Sequence, residues 1–104
     1  MSQAVICSAI QHRNLLYFYY TGDDVHGYRT IEPHTYGYHK TTGNLMVNGW
    51  LVGGVSESQK TPWWRDYLLS DMSQIAELNQ SFSGPRSGYV KGGGKKFASV
   101  ICDL

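Results

Sequence analysis

The sequence predicts a mainly β (α+β) domain, with one N-terminal helix leading into a small, strongly bent sheet or barrel of about five strands. Three observations carry that expectation. Aromatic and β-branched residues gather in short blocks, among them Leu15–Tyr20 and Leu45–Val52, and such side chains pack well on a pleated surface. Turn chemistry separates the blocks, as in Thr21-Gly22-Asp23-Asp24 and Thr41-Thr42-Gly43-Asn44. Apolar residues at helical spacing occur near the N-terminus.

The elements follow in order. Ser2 through Arg13 reads as a short amphipathic helix, with Ser2 as N-cap and Val5, Ile6, Ala9 and Ile10 on one face. Arg13 and Asn14 close it, the arginine lying at the negative end of the helix dipole. Leu15 to Tyr20 is a strand in which Tyr17 and Tyr19 share one face and Phe18 and Tyr20 the other. It pairs most simply with Gly27 to Glu32 as a hairpin, and Pro33, which has no amide hydrogen, is expected to end the second strand. Thr35 to His39 forms another short strand, followed by a turn into Leu45 to Val52. Gly53 to Pro62 reads as a polar loop and Trp64 to Leu69 as a strand. Asp71 to Leu78 reads as either a helical turn or a strand edge. Ser83 to Gly88 and Lys91 to Lys96 turn, and Phe97 to Leu104 closes the sheet.

With 104 residues, 41% hydrophobic and 16% charged, the chain is expected to form a single folded domain. A formal charge of +1 gives no global pull toward nucleic acid or anionic lipid, so binding of that kind needs a local basic patch. No apolar run is long enough to span a bilayer and the N-terminus lacks signal-peptide character, so cytoplasmic is the expected location, with no membrane partner. A disulfide between Cys7 and Cys102 is geometrically open, but in that compartment buried free thiols are expected.

A helix, an aromatic strand, Arg-x-x-x-Pro, a Gly-turn strand and Arg-x-aromatic occur here in that order. The residues are Ala9-Ile10, Leu15, Phe18, Tyr20, Arg29, Ile31, Pro33, Tyr36, the Gly43-to-Trp50 strand, Arg65, Tyr67, Leu69, Ile75 and Phe82. In this order and spacing the chain resembles the WYL domain family over about three quarters of its length. The resemblance implies an Sm-like (SH3-like) β-barrel preceded by a helix. It divides the chain into a helix at about 2–13, a barrel at about 15–82 and a C-terminal strand extension at about 83–104. Members of that family usually form the sensing part of bacterial transcription regulators behind a DNA-binding helix-turn-helix. Others accompany phage-defence or CRISPR systems. This chain has no room for a helix-turn-helix, which implies a stand-alone sensor or a fragment.

Two departures bear on function. Where the family carries Trp-Tyr-Leu, this chain has Asn44-Leu45-Met46. Where it carries Arg-x-Phe-Arg-Leu-Asp-Arg-Ile, this chain runs from Arg65 to Met72, so the second arginine is Leu68 and the third Asp71. A phosphate-reading pocket there loses two cations and gains an anion.

The candidate ligand residues are Arg29, His34, Tyr36, Arg65 and Tyr67. Arginine offers a planar fork of donors that suits phosphate or carboxylate and stacks on aromatic rings, and the resemblance sets Tyr36 and Tyr67 beside the two arginines. The plainer account is that each arginine pairs with a nearby acid such as Glu32 or Asp66. Of Trp63 and Trp64, adjacent on a strand, at most one faces inward; the other serves the surface or a subunit interface, or offers a stacking platform for a base. The Lys91-Gly92-Gly93-Gly94-Lys95-Lys96 loop resembles a phosphate cradle but lacks a P-loop ending. With Arg86 it forms a basic cluster, so Arg86, Lys91, Lys95 and Lys96 are candidate phosphate contacts. The four histidines and two cysteines show no metal-ligand spacing, so neither metal nor cofactor is expected.

No nucleophile motif appears, so catalysis is not expected; a hydrolase would need a deep pocket holding a histidine hydrogen-bonded to a carboxylate. The leading expectation is a non-enzymatic sensor for an anionic small molecule, a nucleotide or short nucleic acid, acting through a partner regulatory protein. The alternative is an interaction module, a homodimer without a small ligand.

Overall fold

A computed structural model of the chain describes residues 2–54 and 63–104. Helix α1 (Ser2–His12) is followed by β1 (Asn14–Tyr20), β2 (Gly27–His39), β3 (Leu45–Gly54), β4 (Trp63–Leu68), β5 (Met72–Ser81) and β6 (Phe97–Asp103). The side chain of Ser2, expected to cap α1, lies outside the described residues, as does the polar loop expected before Pro62 from residue 55 onward.

All strand pairs are antiparallel, in the order β4-β3-β2-β1-β5, with β6 added to β2. The first half of β2 pairs with β1, from Tyr20↔Gly27 to Leu16↔Ile31, and its second half pairs with β6, from Thr35↔Asp103 to His39↔Phe97. Strand β3 runs along its other side. Pro33 therefore does not end the strand as expected. It falls between the partners β1 and β6, and the register with β3 shifts between Pro33 and Thr35. An imino residue is tolerated at such an irregularity because the ladder is already interrupted there.

The described strands form one open sheet of six, not a closed barrel. Its end strands β4 and β5 are nevertheless joined by a single 3-10 turn, Leu69–Asp71. So short a link demands that the sheet curl until its two ends approach one another. The Tyr20 hydroxyl accepts a hydrogen bond from the Leu68 amide at 3.2 Å, and the Thr21 amide donates to the Asp71 carbonyl at 3.1 Å, tying β1 to that corner.

The inner face holds the core. Ile6, Ala9 and Ile10 of α1 are fully buried against Leu16, Phe18, Ile31, Val47 and Leu51. The alternation expected in β1 is present: Phe18 and Tyr20 are buried, while Tyr17 and Tyr19 lie on the outer face against Tyr28, the first pair stacked at 5.0 Å. Arg13 adopts a left-handed conformation (φ 56) that stops α1, and its carbonyl accepts the Phe82 amide at 2.8 Å.

The expectation of free thiols is overturned. Cys7 of α1 and Cys102 of β6 form a disulfide, with Cα atoms 5.8 Å apart. Packing of α1 across β6 brings the two half-buried sulfurs together, a proximity that exists only in the tertiary fold. Among the described residues no helix is long and apolar enough to cross a membrane.

Candidate functional site

The expected surface around Arg29 and Arg65 is not laid out as an open binding face. Arg29 is only 1% exposed. Its Nη2 and Nη1 donate to Asp23 Oδ1 and Oδ2 at 3.2 and 3.4 Å, and Nη2 also donates to the Val25 carbonyl. The guanidinium lies over the rings of Tyr20 and Tyr67, 5.3 and 5.8 Å from their centroids. Tyr36 and Tyr67 are core residues as well. Burial raises the pKa of both, and for Tyr67 the nearby Arg29 and Arg65 charges partly offset that effect. Arg65 is half-buried, with Nη1 donating to the Trp64 carbonyl at 2.9 Å. Arg29, Tyr36 and Tyr67 are therefore packed into the interior, because β2 and β4 turn these side chains inward.

His34 is fully buried too, in a box of rings: Trp64 of β4 at 4.7 Å, Tyr89 at 5.4 Å and Phe82 at 5.7 Å. Its Nδ1 lies 2.8 Å from the Glu32 carbonyl oxygen, and its Nε2 accepts the Arg86 amide at 3.1 Å. A carbonyl can only accept, so Nδ1 carries the proton and the ring is neutral.

The basic cluster is largely neutralised within the fold. Arg86 pairs bidentately with Glu32, at 2.7 and 2.8 Å, and lies over the Trp50 ring. Lys91 binds Asp103 at 3.2 Å and the Leu104 carbonyl. Lys96 binds Asp66 Oδ2 at 2.9 Å, and Asp66 Oδ1 in turn accepts the Asn48 side-chain amide at 2.8 Å. Of the four cations, Lys95 alone makes no ion pair among the described residues.

Lys95 lines an open cleft of about 400 Å³ between the sheet and the C-terminal segment. Thr35 of β2, Asn48 of β3 and Trp64 of β4 line the sheet side; Tyr89, Lys95 and Lys96 line the other. The sequence places these groups by local means. Gly88, at φ +96, sits so close to Trp64 that an added Cβ would lie 3.1 Å from the indole nitrogen, and that indole N–H donates to the Ser87 carbonyl at 2.9 Å. Gly93, at φ +85, leaves room for the Phe97 ring, which an added Cβ would meet at 2.6 Å. Glycine is the residue that adopts such angles without penalty, so the run before Lys95 sets the path of the backbone into the cleft wall. Asn48, Thr35 and Tyr89 carried no pattern that sequence reading could use. Trp64 and the lysine-glycine loop did, but nothing local showed that they face one another.

Ser8, His12 and Glu77 also meet. Ser8 Oγ donates to Glu77 Oε1 at 2.6 Å, and His12 Nδ1 lies 3.2 Å from both Ser8 Oγ and Glu77 Oε2. Serine and carboxylate thus approach the same ring nitrogen, and the serine already binds the acid directly. A relay needs them on opposite nitrogens. The histidine side chain is 65% exposed and outside the cleft. The cluster joins α1 to β5, and its hydrogen bonds, led by that from Ser8, lower the Glu77 pKa. Among the described residues no group of three or more His, Cys, Asp or Glu is placed to hold a metal ion.

The fold and the cleft define a small β-rich domain with an aromatic-walled concavity. Comparison with family models, with curated proteins and with solved structures gives no match.

Proposed function

We propose that the chain is a non-enzymatic, WYL-like ligand-sensing domain that binds an anionic small molecule in the cleft and acts through a partner regulatory protein. The observation that carries this reading is the cleft itself: the aromatic residues Trp64 and Tyr89, the polar Thr35 and Asn48, and Lys95, which makes no ion pair among the described residues, line one open space. That is the composition of a small-ligand site, mostly apolar with a few placed polar groups. The single-turn link between β4 and β5 supports an Sm-like curl of the sheet, the architecture the family resemblance implies. The losses of cation at Leu68 and Asp71 fit a ligand held elsewhere than on the family's arginine strand.

With three of the four cations of the basic cluster already paired, a compact anion suits the site better than a nucleic-acid strand, which needs several phosphate contacts. Titration of the protein with aryl carboxylates, sulfonates and phosphates, followed by tryptophan fluorescence, tests the reading. Saturable binding that weakens with salt and is lost in Lys95→Glu is expected. Anions that bind no better than their neutral isosteres overturn it.

The interaction-module reading is favoured by Trp63, which is 50% exposed on β4 at the end of the sheet order. A concentration-dependent dimer in sedimentation, abolished by Trp63→Ser and accompanied by no anion binding, would establish it instead.

A further inference from the structure

We propose that His34 is a proton-operated latch on the cleft: neutral, it holds the Arg86-to-Tyr89 segment against the sheet; protonated, it releases that segment and dismantles the ligand site. This rests on reading the cleft as a ligand site, but its central claim concerns the segment and can be tested without a ligand.

The argument begins with lone pairs. Nδ1–H of His34 is committed to the Glu32 carbonyl, which leaves Nε2 as an acceptor, and the Arg86 amide donates to it. Adding a proton at Nε2 sets an N–H against an N–H. That bond cannot persist, and a full positive charge appears in a box of three aromatic rings. Two of those rings, Trp64 and Tyr89, are also the walls of the cleft. The segment that must give way carries Ser87, which anchors the Trp64 indole, and Gly88, which packs on it. It has no regular strand or helix of its own to resist.

The charged groups around the ring set the direction. Glu32, on the same strand, favours the protonated form, while Arg86, from the latch segment, opposes it. These two hold one another in a bidentate pair. From β4 comes the uncharged Trp64, and Phe82 follows β5. Tyr89 stays neutral, since burial raises its pKa, and Asp103 at the end of β6 is taken by Lys91 and the Gly92 amide. Burial is the largest influence on His34 and lowers its pKa below the ordinary value of 6.5. The latch therefore stays closed at neutral pH and opens only below the ordinary histidine range. The stability contributed by the neutral ring is complete above pH 6.5 and is lost as pH falls through the lowered value.

Nitrogen-resolved NMR from pH 8 downward, through the titration of the His34 ring, tests the latch on the unmodified protein. The Arg86 amide and the Trp64 indole N–H should shift together, with one midpoint below 6.5 that coincides with the His34 ring titration. His34→Gln, whose amide can donate to Glu32 and accept from Arg86, should fold and lose the transition. If the Arg86 and Trp64 signals stay flat while His34 titrates, the latch is refuted; a transition that survives in His34→Gln also refutes it.

Benzenesulfonate, whose charge is fixed in this range, reports the linkage to the site. Its apparent affinity should fall about tenfold per pH unit below the midpoint, because only the neutral-His34 form is competent. If no anion binds at any pH, the ligand reading falls while the NMR result still decides the latch. PH-independent binding beside a clear NMR transition removes the coupling.

Discussion

Asp23→Ala should destabilise the fold more than removal of the arginine it serves. The Arg29 guanidinium is 1% exposed, and among the described residues the Asp23 carboxylate is the one acid within ion-pair distance of it. Asp23 itself keeps 27% of its side chain in solvent. Removing the acid strands a buried cation, a change of about 3–5 kcal/mol in comparable pairs. Removing the cation with Arg29→Met strands only a part-exposed carboxylate and fills the same space with an apolar chain, so about 1–2 kcal/mol is expected. Asp23 Oδ1 also accepts the Val25 amide at 3.0 Å, so Asp23→Ala breaks a turn as well as an ion pair. Asp23→Asn separates the two effects, keeping an acceptor for the turn while losing the charge; about 2 kcal/mol is expected. Urea unfolding of the three single variants and the Asp23→Ala/Arg29→Met double variant measures the cycle, with the double variant more stable than Asp23→Ala alone. If Asp23→Ala changes stability by less than about 0.5 kcal/mol, a value ordinary for surface sites, Arg29 is not a buried structural cation and the packing argument fails.

Three further outcomes follow from the same structure. Thiol titration of the native, unreduced protein should find no free cysteine; reduction should lower unfolding stability by up to about 4–5 kcal/mol, the loop-entropy value for a bridge spanning 95 residues. Two reactive thiols in the native state would contradict the bridge. Burial raises the pKa of Tyr20, Tyr36, Tyr67 and Tyr89 above the usual 10.0. The folded state thus keeps protons that the unfolded chain releases, and their stabilisation is complete below pH 10 and is lost as pH rises through the raised values. Ultraviolet titration should show these four of the eight tyrosines ionising only as circular dichroism reports unfolding. Gly88→Ala forces a non-glycine residue to φ +96 against the Trp64 indole and should cost about 1–3 kcal/mol. Trp64 emission should shift in that variant, whereas an unshifted spectrum at wild-type stability would show that Gly88 does not position the ring.

Where the sequence was legible, the signal was local. The alternation of Phe18 and Tyr20 with Tyr17 and Tyr19, the turn residues before Gly27 and the apolar stripe of α1 each follow from a period or from a backbone preference within a few residues. Pro33 misled because its missing amide hydrogen matters only where a ladder needs it, and the change of partner from β1 to β6 could not be read from the strand itself. The arginines misled in a related way. Arg29 was recognisable as special, but its partner proved to be Asp23 in the neighbouring turn, while Glu32 went to Arg86, 54 positions along the chain. The cleft lies beyond the reach of local patterns for the same reason: Trp64 and the Lys95 loop each carry a local signal, and only the fold sets them face to face.

The bridge between α1 and β6 has a mechanical consequence. Tension applied to the chain outside Cys7 and Cys102 passes through the sulfur bond and bypasses every strand from β1 to β5, which lies within the bridged loop. A tether attached on either side would extend only the short flanking segments, so the cleft would keep its shape under loads that peel apart an unbridged sheet. With the bridge reduced, the same pull would act on the β2–β6 ladder and on α1. The domain would then yield first at β6, whose leading residue Phe97 lines the cleft.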